Sequence, residues 1–236
     1  DIQFDRDGNL WVTNAYSINK NLPIHVRDIN NEWKSYGSSE TLVKISQSPI
    51  SLTFDNWSRV WVSAFKAEEA NMGIYPNGGI FVLEYSGPPV NPTSFSWESI
   101  VGNTTVWSLG MGNNNRLYYL TPTGLNYYDI IAGPSPVVRE NLYSYFPNIS
   151  FGGGSEISID LQGNIWTTSP TQGVHVLLEN TTYWPDINGL REGNSPLLSD
   201  EVYDLDFDYE RKLAYIATSK GVSILRIPSG DSYTNY

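Results

Sequence analysis

Few groupings of side chains in this chain could hold or move a charge. The tightest is Asp204, Asp206 and Asp208, three carboxylates at alternate positions of one apolar-aromatic run. In an extended strand alternate side chains share one face. Three carboxylates so placed shift one another's pKa and suit acid–base work or cation binding; the plainer reading is a hydrated wall. A second acidic pair is Glu68-Glu69. The two histidines, His25 and His175, both lie in alternating runs, Pro23-Ile24-His25-Val26 and Val174-His175-Val176. That context makes each a strand residue rather than a base or metal ligand. The chain has no cysteine, so disulfides and thiolate metal sites are excluded. Nucleophile elbows, phosphate loops and dinucleotide fingerprints are absent. These readings assign no catalytic residue, no metal and no cofactor.

One further motif offers carboxylates at alternate positions, Asp5-Arg6-Asp7-Gly8-Asn9. Calcium loops use that spacing but close it with a distal Glu. No Glu closes this one, and the second Asp is lost in its later copies. It reads as a turn: Asp bonds the backbone two residues on, and Gly supplies the positive φ.

The turn matters because it recurs. Asp5 to Val12 is nearly copied at Asp160 to Thr167 and more loosely at Asp55 to Val62. Degenerate copies begin at Gly112 and Asp208. The starts fall at 5, 55, 112, 160 and 208, with spacings of 50, 57, 48 and 48 residues. A period in that range marks a repeat architecture. Alternating runs flank each turn, such as Ile157-Ser158-Ile159 before it and Ile165-Trp166-Thr167 after it, which makes a β-hairpin. A third run follows a Gly, as in Gly173 to Leu177. An aromatic run such as Thr182-Tyr183-Trp184 closes most units. Four antiparallel strands per period form the blade of a β-propeller.

The expected fold is therefore all-β: a β-propeller of five consecutive four-stranded antiparallel blades, either alone or as part of a larger propeller. The blades span about 1–37, 50–101, 102–140, 155–185 and 200–230. The last lacks a clear fourth strand, and 231–236 read as a polar tail. Trp11, Trp61, Tyr118 and Trp166 should occupy equivalent buried positions. The stretch 64–71 reads as a loop with at most one helical turn. With 236 residues, the repeats account for nearly the whole chain. A net charge of −11 argues against nucleic acid or an anionic membrane as partner. No run is long enough for a membrane-spanning helix. The chain opens without an initiator Met, inside a strand, which suggests an excised piece that other blades or domains of a longer parent accompany.

The repeat, Asp-x-x-Gly-Asn-Leu/Ile-Trp-Val followed by Gly-Val/Ile-x-Val, resembles the two-component-regulator propeller repeat. That repeat occurs in extracellular sensor domains of bacterial hybrid histidine kinases and in surface proteins exported by type IX secretion. The stretch Ala217 to Pro228 is similar to the last blade of such cargo proteins. The resemblance implies a secreted or cell-surface bacterial protein. It is a fold marker and carries no catalytic residue. Propeller lyases that act on streptogramin antibiotics are similar in fold and use a histidine base with a magnesium site; no His-Glu-His grouping is present here.

In a propeller the links between second and third strands, and between blades, share a rim. Here those links are long and aromatic, whereas the repeated turns are short. Loops on a rigid scaffold concentrate function, and aromatic and Arg side chains supply most binding energy. The expected ligand-binding residues are Tyr16, Phe65, Lys66, Tyr75, Tyr145, Phe146 and Arg191, facing a glycan or protein ligand from one side of the axis. The leading expectation is a non-enzymatic binding scaffold; the alternative is a lyase or hydrolase acting on a polysaccharide or small molecule.

Overall fold

The computed structural model describes residues 1–15, 22–37, 40, 49–66, 77–131, 137–140 and 144–227. Each repeat becomes one antiparallel meander. Sheet I holds β1 (Ile2–Phe4), β2 (Leu10–Thr13), β3 (Ile24–Arg27) and β4 (Trp33–Tyr36) in that order. Sheet II holds β5 (Pro49–Phe54), β6 (Val60–Lys66), β7 (Asn77–Ser86) and β8 (Ser94–Gly102). Sheet III holds β9 (Ser108–Met111), β10 (Arg116–Thr121), β11 (Gly124–Ile131) and β12 (Val137–Glu140). Sheet IV holds β13 (Ile157–Ile159), β14 (Ile165–Ser169), β15 (Gly173–Leu177) and β16 (Tyr183–Trp184). Sheet V has three strands among the described residues: β17 (Val202–Asp208), β18 (Leu213–Thr218) and β19 (Gly221–Arg226). The fold is the all-β propeller type, with five consecutive blades. The expected polar tail, 231–236, lies outside the described residues.

The repeated turn explains itself atom by atom. Asp160 Oδ1 accepts the backbone N–H groups of Gln162 and Asn164 at 2.9 and 3.0 Å. Its Oδ2 accepts Asn164 Nδ2 at 2.9 Å and Trp166 Nε1 at 3.0 Å. Asp5 does the same for Asp7, Asn9 and Trp11. Asp55 does so for Trp57, Arg59 and Trp61. The six-residue Asp-to-Trp spacing is thus the reach of one buried carboxylate across its own hairpin. Gly8 and Gly163 hold φ of 81° and 83°, and Ser58 takes that left-handed place in sheet II at φ 61°.

Trp11, Trp61 and Trp166 are fully buried, and Tyr118 is buried at the matching register. The chain divides into two compact units, residues 1–111 and 112–236. In the first, Trp11, Ile24, Val26 and Tyr36 of sheet I pack against Leu52, Val60, Val62 and Phe81 of sheet II. In the second, Trp166, Val174, Val176 and Trp184 of sheet IV pack against Leu205, Ala214 and Ile216 of sheet V. In each of these two pairs the earlier sheet offers a trailing face that bears the Trp, and the later sheet a leading face that covers it. Residues 64–66 differ from the expected loop: Ala64, Phe65 and Lys66 continue β6, because Ala64 and Lys66 pair with Gly79 and Asn77 of β7. Among the described residues no helix is long and apolar enough to cross a membrane.

Candidate functional site

In the second unit, side chains suited to recognition gather where the repeat is most degenerate. Sheet III has Gly112 where sheets I, II and IV have the turn Asp. No carboxylate is available there to hold an indole, and Tyr118 stands in the Trp position. A Cβ built on Gly112 would lie 3.0 Å from the Tyr118 ring, so the glycine is what lets the phenol lie across the turn. A small cleft, about 40 Å3, opens beside it. Its walls are Gly112, Asn113, Asn114, Arg116 and Tyr118 of sheet III, with Gly163 and Glu179 of sheet IV.

Arg116 joins this cleft to an aromatic platform. Its Nε donates to Asp129 Oδ1 at 2.8 Å across β10 and β11. Its guanidinium lies 4.0 Å over the Tyr127 ring, a cation–π contact. Tyr127 stacks on Tyr145 at 6.3 Å with planes 17° apart. Tyr145 meets Tyr183 of β16 edge-on at 6.3 Å. Tyr127, Tyr145 and Tyr183 are all half-buried, so each keeps part of a ring and its surroundings in water. The connector that brings Tyr145 here is pinned by a two-way backbone bridge to Leu125. Burial, before any charge, pushes the Tyr118 and Tyr145 hydroxyls upward, so both stay protonated donors at neutral pH.

The expected binding residues fare differently. Tyr145 belongs to the platform. Phe146, its neighbour, is completely buried against Tyr183 and His175, with ring centroids at 4.9 and 5.4 Å, so it is a packing residue rather than a contact surface. Phe146 has φ 55°, which turns its side chain inward as Tyr145 turns outward. Arg191 donates from Nε to the Asn188 carbonyl at 3.0 Å in the connector ahead of sheet V. Phe65 and Lys66 end β6 in the first unit. Tyr16 and Tyr75 lie outside the described residues. Arg116, Tyr127 and Tyr183 escaped sequence reasoning because they look like ordinary strand positions. The loss of Asp and Trp from the third repeat was the available signal.

The acidic alternation leads to a second grouping. Asp204, Asp206 and Asp208 do share a face, opposite Ala217, Tyr215 and Leu213. Asp208 is tied to Arg211, by its backbone N–H at 2.9 Å and its guanidinium at 2.8 Å. Asp204 places its charge near Glu156, at the foot of β13. Burial first, and then the Asp204 charge, push Glu156 up to about 7. A carboxyl that exchanges its proton near neutral pH can act as a general acid or base.

The histidines are framework. His175 is fully buried, and its Nε2 donates to the Gln172 carbonyl at 3.0 Å. Burial, with the Arg191 charge adding to it, lowers it to about 4. His25 is half-buried between Asn14 and Ser35.

No protein-family model and no curated protein matches the sequence. Solved structures do. PorZ, an essential surface component of the type IX secretion system of Porphyromonas gingivalis, is 17% identical over 95% of this chain and 31% of its own, with a TM-score of 0.71. The extracellular domain of a hybrid two-component system of B. thetaiotaomicron is 18% identical over 95% of this chain and 26% of its own, at 0.63. Virginiamycin B lyase of Staphylococcus aureus is 13% identical over 98% of this chain and 71% of its own, at 0.55. A form of that lyase with one histidine replaced by alanine is catalytically inactive. The chain spans less than a third of the length of the first two. In fold, it is a β-propeller of the kind found in these bacterial surface proteins and in propeller lyases.

Proposed function

We propose that this chain is the ligand-binding module of a secreted or cell-surface bacterial protein, and that its ligand is a glycan. The observation that carries the reading is the half-exposed run Tyr127, Tyr145 and Tyr183, edged by Arg116 and continuous with a cleft of amide, carboxylate and phenol groups. Flat rings match the apolar faces of sugars, and the cleft supplies the hydrogen bonds that fix orientation. Fixed aromatic side chains lose little entropy on binding. The structural neighbours support an extracellular setting, since they are surface components and extracellular domains. A glycan array probed with the purified chain tests this. Binding should appear, and Tyr145→Ala and Tyr127→Ala should each weaken it at least tenfold while leaving the fold intact. An empty array, or binding indifferent to both changes, overturns the reading.

One observation favours a second reading, a lyase or hydrolase acting on a polysaccharide or small molecule. Glu156 lies near the Asp204 charge and, half-buried, is poised near neutral pH. In that reading Glu156 moves the proton and Asp204 sets its affinity. The buried His175 and the strand-bound His25 supply no exposed base. Turnover in a substrate screen, abolished by Glu156→Gln and untouched by Tyr145→Ala, would displace the binding reading.

A further inference from the structure

The cleft beside Tyr118 exists because one position of the repeat departs from its pattern. Val26, Val82, Tyr127, Val176 and Ile224 are equivalent by register, since they pair with Trp11, Trp61, Tyr118, Trp166 and Tyr215. Three residues on from each stand Ile29, Tyr85, Ile130, Glu179 and Ile227. Four are apolar or aromatic, and one is a carboxylate. At two junctions between sheets that residue covers the aromatic of the sheet before. Tyr85 of sheet II lies 5.9 Å from Trp11 of sheet I, and Ile227 is buried in the cluster around Trp166 of sheet IV. At the junction of sheets III and IV the residue is Glu179, which is exposed, and the cleft is the space that it and Tyr118 line. Gly112 for Asp and Tyr118 for Trp are two more departures at the same junction. Three exceptions to the repeat thus meet in one place.

The charges around the cleft do not cancel. Arg116 is already matched, by Asp129 at 2.8 Å and by the Tyr127 ring beneath its guanidinium. Among the described residues Glu179 has no basic group within ion-pair distance. One negative charge is left uncompensated, on a chain whose net charge is −11. Across the cleft from it stands an amide donor. A Cβ built on Gly163 would lie 3.0 Å from Asn113 Nδ2 and 3.6 Å from Glu179 Cδ, so donor and acceptor flank one point. Neighbouring hydroxyls suit such a pair, because each both gives and takes a hydrogen bond. A volume of about 40 Å3 has room for a few water-sized groups, the hydroxyl edge of one sugar but not its ring.

We propose that Glu179 is the specificity-determining residue of this site: it accepts the hydroxyl donors of an uncharged sugar and turns away glycans that carry uronate or sulfate groups. The inference rests on the glycan-binding reading and narrows it. Hydroxyl donors meet a charged acceptor here, which makes short, strong bonds. A ligand carboxylate or sulfate would instead face Glu179 with no free cation to offset it, and such built-in repulsion is how a site rejects the wrong partner.

An array holding neutral, uronate-bearing and sulfated oligosaccharides tests this, probed with the parent chain, Glu179→Gln, Glu179→Lys and Tyr145→Ala. Glu179 is exposed, so folding is spared, which circular dichroism checks. The parent should bind neutral members and leave the acidic ones. Glu179→Gln keeps the shape and loses the charge, and should weaken neutral binding about fivefold, the difference between a charged and a neutral acceptor. Glu179→Lys should weaken it further and admit acidic members. Tyr145→Ala should lower binding whatever the ligand charge. Acidic members held by the parent as tightly as neutral ones, or neutral binding unchanged in Glu179→Gln, overturns the role of Glu179, while binding that still depends on Tyr145 leaves the glycan reading standing. An array empty for the parent overturns both.

Discussion

Asp160 Oδ2 and Trp166 Nε1 lie 3.0 Å apart, and the same bond ties Asp5 to Trp11 and Asp55 to Trp61 at 2.9 Å. In sheets II and IV the carboxylate is buried, yet four N–H groups of its own hairpin surround it, which is the condition under which a buried charge is tolerated.

Removing that carboxylate strands the donors that faced it. Asp160→Ala is expected to cost about 3 kcal/mol, since buried donors lose a charged acceptor. Asp208→Ala, in an exposed turn held mainly by Arg211, should barely move the unfolding midpoint. Urea denaturation of both variants checks the contrast; equal losses would show that the sheet IV hairpin owes nothing to its carboxylate.

Trp166 fills the space between sheets IV and V, against Trp184 at 5.9 Å and Phe207 at 5.6 Å. Trp166→Ala should destabilise the chain by roughly 3–5 kcal/mol. Differential scanning calorimetry provides the measurement, and a loss below about 1 kcal/mol, the range of a surface change, would contradict its place in the core.

Tyr145 and Phe146 are sequence neighbours with opposite assignments. Phe146→Ala should cost roughly 3–5 kcal/mol as a core truncation. Tyr145→Ala should cost less than about 1.5 kcal/mol, because a half-exposed ring forfeits chiefly its stacking. Reversal of that order in thermal unfolding would exchange their roles.

Stability should respond to acid through two opposed groups. Glu156 is raised to about 7 in the folded state. The folded chain therefore holds its proton more tightly than the unfolded chain, whose Glu titrates near 4.3, so this group lowers stability as pH climbs from there to about 7. His175 is lowered to about 4. Here the unfolded chain, whose His titrates near 6.5, takes the proton first, so stability falls as pH drops from there toward 4. Being deeply buried, His175 should contribute a loss on the order of 3 kcal/mol. Glu156→Gln removes the first slope and leaves the second. Unfolding midpoints of parent and variant across this pH range would expose the difference, and parallel curves would refute the assignment for Glu156.

The turn, the hairpin and the blade were legible in the sequence because a single hydrogen bond fixes the Asp-to-Trp spacing at six residues. Sheet V has three strands among the described residues, and the sequence showed the same three runs ending at Arg226. The Tyr127, Tyr145 and Tyr183 platform was not legible. It depends on how sheet IV meets sheet III, and strand alternation says which face a residue takes but not what lies opposite. The Glu156 and Asp204 pair was half visible. Each residue stands four before its repeat's turn Asp, so superposing the repeats aligns them, whereas scanning for local clusters found only Asp204. Phe146 was misassigned because a connector aromatic can point inward as readily as outward, and its backbone conformation is not written in its neighbours.

The Asp–Trp bond also bears on how the chain folds. It joins residues six apart, inside a hairpin whose paired residues are at most 15 apart in sequence (Pro49 with Ala64), so its loop-closure cost is small. Contacts so local form early, and repeat arrays can nucleate wherever one unit is sturdiest. Sheets I, II and IV each hold such a bond; sheet III, with Gly112, and sheet V, with its lengthened turn, do not. The amides of the three bonded hairpins should therefore gain protection first in pulsed hydrogen exchange, and sheets III and V should order against them.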